Sequence, residues 1–170
     1  MNVFLTGAIR TGKSSIINKF LHQTGLNAGG FRTCWQPDGA DGEYLLLQPV
    51  AAGQTEDPDN RAAHRTKAGL TVYPAVFDRL GPALMEESGR YPLLIQDELG
   101  FMESNSPEFQ AAALRCLDAA VPVLGVIRAR STPFLNLIRN RSDVVILTVC
   151  PYNHDETMSR LFELFKELIK

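Results

Sequence analysis

The chain has 170 residues, 45% hydrophobic and 21% charged, which suits one domain over residues 1–170 with a sizeable core and excludes a disordered or fibrous chain. A formal net charge of −2 supplies no global basic field, so a nucleic-acid partner is not expected. Cys34, Cys116 and Cys150 are scattered without a CxxC pair, which fits a reducing cytoplasm, and neither a secretory signal nor an apolar run near the ~20 residues of a membrane span is present.

Asn2 to Thr6 reads as a short buried strand. Lys13 to Gln23 reads as a helix with Ile16, Ile17, Phe20 and Leu21 on one face, and Gly25 is its stop signal. Gly30 to Trp35 and Glu43 to Gln48 read as strands around a turn at Pro37 to Gly42. Ala51 to Gly69 is polar and without a period, and is expected to be a long loop.

Alternation then resumes. Helices are expected over Pro74 to Ser88, over Pro107 to Ala119 with Ser106 as cap, from Thr132 and Pro133 to about Arg139, and from about Asp155 onward. Strands are expected over Leu93 to Asp97, Val121 to Ile127 and Val144 to Val149. Asn153 and Glu156 have capping-box spacing. This order implies an α/β fold, a mainly parallel sheet with helices on both faces.

Gly7-Ala8-Ile9-Arg10-Thr11-Gly12-Lys13-Ser14 fits G-x-x-x-x-G-K-[ST], between a strand and an amphipathic helix. The spacing serves a triphosphate. Backbone N–H groups of the loop, through Ser15, surround clustered negative charge, and the helix N-terminus adds a favourable dipole. Lys13 reaches the β- and γ-phosphates, and the Ser14 hydroxyl ligates Mg²⁺. Arg10 stands where many such loops have a third glycine. It reads either as an outward surface arginine or as a contact to a phosphate or partner.

Leu93-Leu94-Ile95-Gln96-Asp97-Glu98 is an apolar strand ending in two carboxylates. Strand C-termini of an open parallel sheet line the ligand crevice. Asp97 is therefore expected on the Mg²⁺ side, and Glu98 as the residue that orients or deprotonates an attacking water. Gln96 needs a buried hydrogen-bond partner. Arg128 is the first candidate for transition-state charge, ahead of Arg130, Arg61, Arg65 and Arg32. Tyr152 and Asn153 could touch a nucleobase or form an ordinary turn. His22, His64 and His154 read as surface or packing residues.

Together the loop Gly7 to Ser14, Gly30-Phe31-Arg32-Thr33, and above all Asp97-Glu98-Leu99-Gly100-Phe101-Met102-Glu103 resemble the small stand-alone P-loop nucleoside triphosphatases that include the cancer-related nucleoside-triphosphatase. Phe109 follows at a fitting distance. The segments Arg65 to Tyr73 and Leu147 to Asn153 fit more loosely. The resemblance implies a RecA/AAA+-like fold and Mg²⁺-dependent hydrolysis of ATP, GTP and other nucleoside triphosphates to the diphosphate. It raises Glu98 as the catalytic carboxylate beside Lys13 and singles out Glu103. The chain departs at Arg10 and over Asp38 to Tyr44, which lacks the family's arginines. Two other readings stay open: a nucleotide or small-molecule kinase on the same scaffold, and a non-catalytic nucleotide switch or cofactor-assembly module.

Overall fold

The computed structural model describes residues 1–50 and 57–169. The elements are β1 (Asn2–Thr6), α1 (Lys13–Thr24), β2 (Ala28–Pro37), β3 (Glu43–Pro49), β4 (Arg61–Thr66), β5 (Gly69–Val72) and α2 (Pro74–Glu86). They continue with β6 (Leu93–Leu99), α3 (Pro107–Asp118), β7 (Val123–Ile127), α4 (Pro133–Arg139), β8 (Val144–Thr148) and α5 (His154–Leu164).

One 8-stranded sheet has the order β5-β4-β3-β2-β6-β7-β1-β8. From β2 to β8 the neighbours run parallel. From β2 to β5 they run antiparallel.

Alternation along the strands explains why both faces are covered. Val3 and Leu5 of β1 pack with Ile16, Ile17 and Phe20 of α1 and with Leu161 of α5. Phe4, between them, packs on the other face with Phe31, Phe109 and Phe134. Such two-sided strands are apolar along most of their length, as a central parallel strand requires.

The Ala51 to Gly69 expectation is corrected. Arg61–Thr66 and Gly69–Val72 form a hairpin that extends the sheet; the part of that expectation covering 51–56 lies outside the described residues. Ala62 and Ala63 are fully buried, but alanine is a weak strand signal and the flanking Arg61, His64 and Arg65 mask the period.

Two caps also differ. The Ser106 hydroxyl donates to the Pro74 carbonyl at 3.3 Å, while Asp78 of α2 accepts from the Phe109 N–H at 3.0 Å and so caps α3 from a neighbouring helix. Asn153 makes no side-chain cap. Its Oδ1 accepts from the Cys150 N–H at 2.9 Å and its Nδ2 donates to the Thr148 carbonyl at 2.8 Å, so the amide closes the β8–α5 turn instead. Thr132, expected to open α4 with Pro133, is its cap, accepting from the Leu135 N–H at 3.2 Å.

Gln96 finds its partner across the core, donating to the Ala113 carbonyl of α3 at 3.3 Å. Gly30 sits opposite Ile95 in the β2–β6 register, with φ +92°. A Cβ there would lie 2.1 Å from the Ile95 carbonyl oxygen. Because that atom is backbone, it yields only if β2 parts from β6. Gly30→Ala is therefore expected to destabilise the protein by roughly 3 kcal/mol, read as a lower urea midpoint at unchanged m-value.

Candidate active site

The strand order brings the singled-out residues to one edge. β7 lies between β1, which leads into the loop, and β6, which carries the acids. The residue that follows β7 is Arg128, so it emerges between them.

The loop itself is built on three positive-φ positions, Gly7, Arg10 and Gly12. Gly7 has φ +140°, and a Cβ on it would lie 2.3 Å from the Val149 carbonyl oxygen. That carbonyl belongs to the residue after β8, whose N–H donates to the Thr6 carbonyl at 2.7 Å. Arg10 is the one non-glycine among the described residues with positive φ, at 63°.

Lys13, buried at the start of α1, donates from Nζ to the Ala8 carbonyl at 2.6 Å and to the Gly7 carbonyl and Thr11 Oγ1 at 3.3 Å. Its burial lowers its pKa, and the Glu98 carboxylate opposes that shift. His154, the first residue of α5, holds the loop from outside. Its Nε2 lies 2.8 Å from the Thr11 carbonyl. A carbonyl only accepts, so Nε2 carries the proton. The sequence offered no signal for this contact beyond a histidine near a helix start.

Ser14 Oγ donates to Asp97 Oδ1 at 3.0 Å. Burial pushes the Asp97 carboxyl up to about 6, against the Ser14 hydrogen bond that favours its charged form. The β6–β7 register shifts between Gln96 and Leu99, across the Asp97–Glu98 peptide, which is cis.

Glu98 faces Arg128, with Oε1 at 2.8 Å from Nε and Oε2 at 3.4 Å from an Nη atom. The Arg128 backbone is fixed in turn: its N–H donates to the Leu99 carbonyl at 2.9 Å, and Arg139 of α4 donates to its carbonyl. Arg139 also reaches the Arg130 carbonyl at 3.2 Å. Nothing in the sequence marked Arg139 as the brace of this segment.

Glu103 closes the turn after β6. It is 2% exposed and its Oε2 accepts from the Gly100 N–H at 2.9 Å. Burial pushes its carboxyl up to about 7.

The other arginines divide by place. Arg32 pairs in register with Asp97, and its charge favours the ionised Asp97. Arg130 lies over Phe101, 5.1 Å from the ring centroid. Arg61 stacks on Tyr44 and Arg65 on Trp35, each at 4.3 Å. Both sit on strand β4 rather than on the long loop expected over Ala51 to Gly69. Tyr152 is 95% exposed, and the Asn153 amide is engaged on its own turn.

Two cavities meet at Arg10, Glu98 and Arg128. One, of about 240 Å³, is bounded by Gly12, Lys13, Ser14 and Ser15 of the loop. The other, of about 360 Å³, opens toward β2, β3 and β4. Among the described residues no cluster of three His, Cys, Asp or Glu side chains forms a metal cage. No helix among the described residues is long and apolar enough to cross a membrane.

The family described as NTPase matches residues 2–162. Nucleoside-triphosphatase THEP1 of Thermotoga maritima is 27% identical, covering 98% of this chain and 96% of its own. The protein of that name from Methanopyrus kandleri is 27% identical, covering 95% of this chain and 93% of its own. The crystal structure of THEP1 from Aquifex aeolicus superimposes with TM-score 0.71 at 21% identity, over 96% of this chain and 98% of that one. The solution structure of a human cancer-related nucleoside triphosphatase gives TM-score 0.71 at 24% identity, over 99% of both chains. The P-loop nucleoside-triphosphatase fold is thus shared.

The buried Glu103 carboxyl sets a pH dependence. The unfolded chain releases this proton near 4.5, whereas the folded protein holds it to about 7. The folded state therefore binds more protons across that window, and stability falls as pH rises through it. Glu103→Gln, which keeps an acceptor for Gly100, is expected to flatten the decline, with the difference between the two proteins growing by roughly 2–3 kcal/mol from pH 4 to pH 8. Urea unfolding across that range measures it. Parallel stability curves for the two proteins would contradict it.

Proposed function

This chain belongs to the NTPase family and is a nucleoside-triphosphatase, and we propose that residues 1–170 form a single domain that hydrolyses ATP, GTP and other nucleoside triphosphates with Mg²⁺ in the cytoplasm. The observation that carries the site assignment is the Ser14–Asp97 hydrogen bond at 3.0 Å, with Glu98 next on the same strand and lining the loop cavity.

The loop from Gly7 to Ser15 receives the phosphates on its backbone N–H groups. Lys13 exchanges its contacts with the Ala8 and Gly7 carbonyls for the β- and γ-phosphate oxygens. Those carbonyls are neutral, so charged phosphate oxygens are the stronger partners. Ser14 and Asp97 offer two hard oxygen donors side by side. That set fits Mg²⁺, which commonly takes one or two protein oxygens with phosphates and water. When bound, the ion neutralises charge developing on the β- and γ-phosphate oxygens.

Glu98 accepts a proton from the attacking water. The water oxygen bonds to the γ-phosphorus, and the bond to the β,γ-bridging oxygen breaks, leaving its electron pair on the nucleoside diphosphate. As charge builds on the phosphoryl oxygens, Arg128 turns from Glu98 toward them. Glu98 then loses its ion-pair partner as it becomes the better base.

Glu98→Gln is expected to lower kcat for phosphate release by roughly 10²–10⁴-fold with little change in KM. Arg128→Ala is expected to lower it by about 10³-fold, and Lys13→Ala to abolish measurable turnover. Full turnover by Glu98→Gln would overturn the assignment of the base.

Selectivity among bases is expected to be weak. Tyr152 stands in solvent and the Asn153 amide is already bonded to its own turn. In parallel assays, kcat/KM for ATP, GTP, CTP and UTP should agree within roughly tenfold. A site that reads a base by buried hydrogen bonds discriminates by far more.

A further inference from the structure

Hydrolysis requires room for one water beside the γ-phosphate. The cavity beyond Glu98 and Arg128 is about 360 Å³, the room of roughly a dozen waters. It also falls within the ~300–1,000 Å³ of small-molecule pockets.

Its wall is the antiparallel part of the sheet, which the hydrolytic site does not use. Trp35 pairs with Leu45 across β2–β3, and Glu43 pairs with Arg65 across β3–β4. With Thr33 these side chains face one side of the sheet and line the cavity, and Met102 adds an apolar surface from the turn after β6. One end of the cavity is therefore an indole, with the Arg65 guanidinium stacked on it, and an aliphatic surface from Leu45 and Met102. The other end is the Glu98 carboxylate.

Of the charged side chains on the lining, Glu103 is tied to the Gly100 N–H in its own turn, and Arg10 stands at the border with the loop cavity. Glu98 is paired with Arg128, and Glu43 with Arg65. Away from Arg10 and the loop cavity, the lining therefore offers a ligand no uncommitted charge. It suits an uncharged molecule with a flat apolar body and a hydroxyl.

We propose that this cavity binds an uncharged, hydroxylated ring compound of nucleoside size, and that the protein transfers the γ-phosphoryl group to its hydroxyl as well as to water. The inference rests on the loop cavity acting as the triphosphate site. The ring lies between Met102 and the stacked Trp35–Arg65 pair, and the hydroxyl points at Glu98. Glu98 takes the hydroxyl proton, and the acceptor oxygen bonds to the γ-phosphorus. The bond to the β,γ-bridging oxygen breaks, and its electrons stay on the nucleoside diphosphate. The products are a phosphorylated acceptor and a diphosphate, so neither oxidant nor reductant is involved.

Trp35 is the single tryptophan, so emission excited selectively at tryptophan reports on this cavity. The unmodified protein is saturated with a non-hydrolysable triphosphate analogue and Mg²⁺, then titrated with adenosine, guanosine, cytidine and uridine. Separately, γ-labelled ATP is incubated with each nucleoside, and label is resolved into inorganic phosphate and nucleoside monophosphate. The expected result is a saturable change in Trp35 emission with at least one nucleoside, and label on that same nucleoside. Thr33→Phe, which fills the cavity, should lower the ratio of labelled nucleoside to labelled phosphate by about tenfold or more.

Label in inorganic phosphate alone, with unchanged Trp35 emission, overturns the inference and leaves hydrolysis standing. A saturable emission change without labelled nucleoside overturns the transfer step. Release of label to neither product overturns the hydrolytic reading together with the inference.

Discussion

The Glu98–Arg128 ion pair, 2.8 Å between Nε and Oε1, is the wall that the two cavities share. Its position follows from topology. Because β7 is inserted between the loop strand and the acid strand, the residue leaving β7 must pass between Lys13 and Glu98. Any arginine there would meet the carboxylate. What makes the meeting reproducible is the bracing of the Arg128 backbone by Leu99 and Arg139. A long side chain whose main chain is fixed loses less freedom on pairing than one on a free loop.

Around that pair the electrostatics are set by burial more than by neighbours. Desolvation is the largest influence on both Asp97 and Glu103, and it raises both. The nearby cations, Arg32 and Lys13 at Asp97 and Arg128 at Glu103, act in the opposite direction but do not prevail. Three carboxylates within a few residues are thus spread along a gradient. Glu103 is the most protected and is tied into its turn, Asp97 is held by Ser14, and Glu98 stays partly exposed to the cavities where chemistry is proposed. Charge that faces water and an arginine is less costly than charge buried alone.

The shape of the Gly7–Ser14 loop was legible because its pattern of residues is local. Gly12, Lys13 and Ser14 follow Gly7 at fixed offsets and open α1, although the carbonyl that excludes a side chain at Gly7 is that of the distant Val149. The parallel strands were legible because both faces are buried, which writes unbroken apolar runs into the sequence. The β4–β5 hairpin was not, since its core contribution is two alanines flanked by arginine and histidine. The contacts that pin functional segments were also hidden. Asp78 caps a helix thirty-one positions away, and His154 grips Thr11 from the far end of the chain. Such bonds depend on which elements the fold brings together, and no periodicity encodes that.

Arg10 joins the backbone to the electrostatics. Its φ of 63° is a conformation that costs a residue with a Cβ about 1–2 kcal/mol relative to glycine. Its side chain lines both cavities. Arg128 is already neutralised by Glu98. Among the described residues Arg10 has no carboxylate or hydrogen-bond partner, and Lys13 bonds only to carbonyls and a hydroxyl. The positive charge uncommitted at this border is therefore that of Arg10 and Lys13. A charged hydrogen bond contributes roughly 1.5–3 kcal/mol, which matches or exceeds the backbone penalty. The strained arginine is then a weak point of the fold that becomes favourable in the proposed triphosphate complex, and it stands where the loop cavity opens into the second one.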